Sequence, residues 1–70
     1  MAVIILTARE AEAILKKNGW RLVRVKGNQH QYKKEGYAKL ASIHVHKGKT
    51  LSPGVIVSLY KVTGLDAFVV

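Results

Sequence analysis

Residues 20–34 read WRLVRVKGNQHQYKK, and the composition of the two runs that flank Gly27-Asn28 decides the fold. Trp20 to Lys26 is rich in β-branched and aromatic residues, which suit a pleated surface better than a helix. Gly-Asn is a turn pair, because glycine takes the positive φ that a tight hairpin connection needs. Gln29 to Lys34 then reads as the returning strand, with Glu35-Gly36 as the turn that ends it. The period of two puts His30, Tyr32 and Lys34 on one side of that strand and Gln29, Gln31 and Lys33 on the other. Neither side is apolar, so which one meets the core stays open.

Upstream of the hairpin, Thr7-Ala-Arg-Glu10 spells a capping box, in which the Thr7 hydroxyl accepts from the Glu10 backbone while the Glu10 side chain reaches back. A helix over residues 8–18 follows, braced by Leu6, with Ala11, Ile14 and Leu15 at helical spacing. Lys16 and Lys17 favour the negative end of its dipole, and Asn18-Gly19 stops it. Downstream, Lys39 to His46 alternates as a third strand: Ala41, Ile43 and Val45 on one face, Leu40, Ser42, His44 and His46 on the other. Lys47-Gly-Lys49 is a loop, and Ser52-Pro53 caps and opens a second helix with Val55, Ile56, Leu59, Tyr60 and Val62 as its apolar stripe. Gly64-Leu65 is expected to end it in the Schellman manner. The order is helix, three strands, helix: one α+β domain over residues 1–70, with a three-stranded antiparallel sheet. Such a sheet is stable only when one face is covered, so both helices are expected on the same side. Function is expected on the face left open.

Composition narrows the chemistry. Seventy residues support a small core and leave no room for an internal cofactor cavity. The absence of cysteine removes disulfides, thiol catalysis and thiolate metal sites, and fits a reducing cytoplasm. MAVIIL is too short for a membrane span and lacks the basic start of a signal peptide. The net charge is +8, and between residues 16 and 61 eleven basic residues stand against Glu35 alone, a local +10. That field attracts phosphate backbones and releases their counterions, so a nucleic acid is the expected partner. The competing reading is a merely solubilising surface; an anionic membrane is a weaker one, since no helix pairs a basic face with large apolar residues.

Within this basic body, His30 is the residue with chemistry to offer. Chemistry on a phosphodiester takes a base, an acid for the leaving oxygen and cations for the phosphorus centre. Imidazole suits either proton role, the surrounding lysines favour its neutral form, and Lys26, Lys33 and Lys34 are candidates for holding phosphate. A histidine on a polar strand also has a plain surface reading. His44 and His46 project to one side two residues apart, a possible zinc arm with His30 as third ligand, but no carboxylate or cysteine stands nearby and no cofactor is expected. Trp20 and Tyr60 read as core; Tyr32 either stacks on a base or packs, and packing is the expectation.

Three runs together, LKKNGWRLVRVKGNQHQYKK at 15–34, IHVHKGKTLSPG at 43–54 and IVSLYKVTGL at 56–65, resemble the HicA family of bacterial toxin ribonucleases. The resemblance implies a fold like the double-stranded-RNA-binding domain, metal-independent cleavage of messenger RNA in the cytoplasm and inhibition by a HicB antitoxin. It supports a histidine of this turn and strand as the catalytic residue, for which His30 is the candidate present, and makes His46 a substrate-side residue, with Lys47 beside Lys26, Lys33 and Lys34 as candidate RNA contacts. One position departs from the family. Where its common spelling is Gly-Ser-His-His, this chain has Gly27-Asn28-Gln29-His30, and the first histidine is the one usually assigned the catalytic role. Glutamine exchanges no proton near neutral pH. Two readings stand: His30 does the work, which calls for a bulge at Gly27-Asn28, or the chain is an inactive form that keeps the fold and the partner surface.

Overall fold

A computed structural model describes residues 3–46 and 48–69. Its elements are α1 (Ala8–Lys17), β1 (Arg21–Lys26), β2 (Gln29–Lys33), β3 (Ala41–His44) and α2 (Pro53–Thr63), followed by a 3₁₀ turn, Asp66–Phe68. The strands form one antiparallel sheet in the order β1-β2-β3. This is the expected αβββα architecture.

The capping box at α1 is complete: Thr7 N–H donates to Glu10 Oε1 at 2.9 Å and Glu10 N–H donates to Thr7 Oγ1 at 3.2 Å. At its other end Gly19 takes φ +89°, Gly19 N–H donates to Lys16 O and Trp20 N–H to Leu15 O. That pair of bonds is the Schellman motif, with Leu15 and Trp20 as its buried apolar contact. The motif expected at α2 is therefore found at α1. α2 starts as read, with the Ser52 hydroxyl accepting from Val55 N–H and Pro53 in the first turn. It ends on a single bond from Gly64 N–H to Tyr60 O, because the Thr63 hydroxyl takes the Leu65 N–H that a Schellman closure needs.

In the hairpin, Lys26 faces Gln29 and Gly27 has φ +57° while Asn28, like every non-glycine among the described residues, does not have positive φ, the pattern of a type II′ turn. The bulge expected at Gly27-Asn28 is not there. The register shifts between Leu22 and Arg24 instead, leaving Val23 as the extra residue of β1. β3 is also shorter than the sequence suggests. Past His44 its partner strand has turned away, and Val45 N–H finds only the Asn28 carbonyl, at 2.7 Å.

Both helices pack on the sheet face that carries Tyr32, Ala41 and Ile43, all fully buried with Ala11, Leu15, Ile56 and Leu59. Burying each large aliphatic contributes about 1.5–3 kcal/mol. Trp20 joins this core and Tyr60 packs against its rim, as read. Phe68, to which the sequence reading assigned no place, is fully buried by the 3₁₀ turn, and its carbonyl accepts from Ile4 N–H at 3.2 Å. Cross-strand partners share a face, so the covered face also carries His30, opposite Ile43, and Leu22 and Val25, opposite Tyr32 and His30. The open face carries Arg21, Arg24, Lys26, Gln29, Gln31, Lys33, Ser42 and His44.

Candidate active site

The face assignment divides the residues singled out from sequence. His30 and Tyr32 share a side, as the period of two requires, but it is the helix side. Function was expected on the open face, and His30 is not on it: it sits at the margin of the covered face, its side chain 26% exposed. Lys26 and Lys33 lie on the open face and are not gathered around it. Lys34 extends over the Tyr37 ring, 5.6 Å from the centroid, and contributes packing there. His46 lies beyond β3 on the wall of a cleft, and Lys47 lies outside the described residues.

What meets His30 is a carboxylate from α1. Glu12 Oε2 accepts from His30 Nδ1–H at 3.2 Å and also from the Tyr32 hydroxyl in a very short hydrogen bond. A carboxylate has no proton to give, so Nδ1 carries a hydrogen, and in the neutral imidazole Nε2 is then the lone-pair acceptor. The nearest charge to the imidazole is thus negative, where the sequence suggested lysines. Glu12 itself is 15% exposed at the side chain. Tyr32 is fully buried, and burial first, then its hydrogen bond to Glu12 and that carboxylate's charge, hold its phenol well above the usual range. It stays protonated as a donor and is not available to stack on a base.

Glu12 also lines an open cleft of about 360 Å³ with Arg9, Ala13, Lys16 and Val45. A second cleft of about 480 Å³, lined by Thr7, Ala8, Arg9, Val45, His46, Gly48 and Lys49, shares Arg9 and Val45 with it. The two clefts adjoin through Arg9 and Val45 and carry Arg9, Lys16 and Lys49 together with Glu12; His30 lines neither and meets them through Glu12. A proton acceptor held by a carboxylate, with cations in the adjoining clefts, supplies the kinds of group that base catalysis on a phosphodiester uses.

Sequence reading missed Glu12, Arg9 and Lys16. A signal for Glu12 was present: Ala8, Ala11, Glu12 and Leu15 occupy the i, i+3, i+4, i+7 stripe of α1, and a charge in that stripe must find a polar partner on the core side. The zinc reading fails on geometry, because His30 and His44 project to opposite faces of the sheet. Among the described residues no group of three or more metal-ligating side chains converges, and no helix is long and apolar enough to cross a membrane.

Residues 8–65 match the family model described as the HicA toxin of bacterial toxin-antitoxin systems. No curated protein matches the chain.

Proposed function

Because the chain belongs to the HicA family of bacterial toxins, we propose that it is a metal-independent endoribonuclease in which His30 is the base and Glu12 its positioning residue. The observation that carries this reading is the 3.2 Å contact between His30 Nδ1 and Glu12 Oε2, which engages Nδ1 and leaves Nε2 for the proton role. His30 Nε2 takes the proton of a ribose 2′-OH as that oxygen attacks the adjacent phosphorus. The bond from phosphorus to the 5′ oxygen breaks, the leaving oxygen takes a proton from water, and a 2′,3′-cyclic phosphate remains. Arg9 and Lys16, which share a cleft with Glu12, are the cations for the charge on the phosphoryl oxygens. His46 and Lys49 extend that track into the adjoining cleft, and Lys26 and Lys33 hold flanking phosphates beyond the hairpin. Messenger RNA is the substrate, the cytoplasm the place of action, and a HicB-like antitoxin that covers β2 and occludes His30 the inhibitor.

The test is incubation of the purified chain with a long single-stranded RNA in excess chelator. Cleavage with cyclic phosphate ends supports the reading; activity that disappears in chelator and returns with metal contradicts it. Glu12→Gln is expected to lower kcat with KM nearly unchanged, and Glu12→Asp to recover part of the loss, as befits a group that orients the base without touching RNA. A second reading has its own support: the bulge that an active His30 calls for at Gly27-Asn28 is absent, Glu12 satisfies the buried Tyr32 hydroxyl, and Gln29 stands where the family's usual catalytic histidine would be. On that reading the chain binds RNA or a partner and cleaves nothing, and the same incubation leaves the RNA intact.

A further inference from the structure

Strand β1 is a free edge of the sheet and is exposed along its whole length. Three of its residues are large and apolar: Leu22, Val23 and Val25 are 42%, 46% and 54% exposed. The helices lie toward β3, so none of the three packs against the core. Register sorts the strand into two stripes. Leu22 and Val25 lie on the helix side, while Arg21, Arg24 and Lys26 lie on the open side, where Lys33 adds a fourth cation and no acidic residue answers them. An edge of this kind offers unpaired backbone groups, an apolar stripe and a cationic stripe at once.

Each occupant must satisfy all three. A second copy pairing β1 to β1 sets arginines and lysines against one another, and the bulge at Val23 twists the edge away from regular self-pairing. An RNA strand answers the cations and leaves Leu22, Val25 and the backbone row uncovered. We propose that β1 is a docking edge for an extended segment of a protein partner in which acidic and apolar residues alternate. Its backbone adds a fourth strand, its acidic side chains meet Arg21, Arg24 and Lys26, and its apolar side chains cover Leu22 and Val25. The surface shares no residue with the His30–Glu12 pair, so it stands whether or not the chain cleaves RNA; Lys26 and Lys33 are shared with the flanking phosphates, so RNA and the partner segment compete there.

The probe is a capped octapeptide of alternating glutamate and valine, compared with one of equal composition whose glutamates and valines are grouped in two blocks. Each is titrated into the ¹⁵N-labelled full chain. The alternating peptide is expected to shift the amides of residues 21–26 saturably, to slow their hydrogen exchange, and to bind at least tenfold more tightly than the blocked one. Val25→Lys, which adds a positive charge to the edge but removes apolar surface, is expected to weaken it by tenfold or more, and so is Arg24→Glu. Both positions are solvent-facing, and circular dichroism checks their folding. Equal binding of the two peptides, an unchanged affinity in Val25→Lys, shifts that map elsewhere, or no binding of either peptide overturns the proposal.

Discussion

Glu12 takes hydrogen bonds from two residues of one strand, and that double role explains both what it holds and what its loss does. The Tyr32 hydroxyl is buried and has to donate to something; without Glu12 it is an unmet donor in the core. Tyr32→Phe keeps the ring packing, removes that donor and is expected to cost about 1 kcal/mol. It is also expected to change the alkaline limb. The folded-state phenol is raised above its unfolded value, so the stability it contributes is complete below about pH 10 and declines as pH climbs past that point. Urea unfolding from neutral pH into the alkaline range checks this: the parent loses an increment that Tyr32→Phe does not have to lose. An increment of equal size in both proteins contradicts the assignment. His30 was legible in the sequence because histidine is rare and chemically distinctive. Its partner was not, because Glu12 is eighteen positions away on another element, and only the fold brings the two together.

At the scale of elements, the ends were easier to read than the lengths. Thr7, Glu10, Gly19, Ser52 and Pro53 each act through backbone groups within a few residues, so their roles follow from local sequence. The length of β3 and the bulge in β1 depend on where a neighbouring strand runs out, which no local pattern encodes. The choice between the two helix endings turned on the Thr63 hydroxyl competing for the Leu65 N–H. Thr7→Ala is expected to cost about 1 kcal/mol through loss of the cap. The Glu10 carboxyl is held below its ordinary value by its hydrogen bonds to the Thr7 backbone and then the Thr7 hydroxyl. Its contribution is therefore present above the unfolded value and is lost as pH falls through the folded one, and Thr7→Ala reduces this acid sensitivity. Thermal unfolding of parent and variant across the acid range reads it directly. Gly19→Ala is expected to cost about 1 kcal/mol or more, since φ +89° suits only glycine and a new Cβ stands 3.3 Å from Lys34 Cε. A neutral result in denaturant melts contradicts that account of the turn.

Across the whole molecule, two basic regions stand apart: the open sheet face with Arg21, Arg24, Lys26 and Lys33, and the α1 clefts with Arg9, Lys16 and Lys49. Their summed charge was legible from composition; their division needed the register, because one residue of slip exchanges the faces of a strand. RNA that follows either track releases counterions, and neutralising four to six phosphates of a single strand gives a log–log salt slope of about −3 to −4. Lys16→Ala is expected to make that slope shallower by about 0.7. A slope near zero removes the nucleic-acid reading altogether. The central claim is that His30, held by Glu12, is the base. Its most direct measurement is the initial rate of RNA cleavage in excess chelator for the parent, His30→Ala and Gln29→His, each checked for folding by circular dichroism. The parent is expected to cleave, His30→Ala to fall by about 10²–10⁴-fold, and Gln29→His to change little. Undiminished cleavage by His30→Ala, or an inert parent made active by Gln29→His, would contradict the account and move the chemistry to the open face.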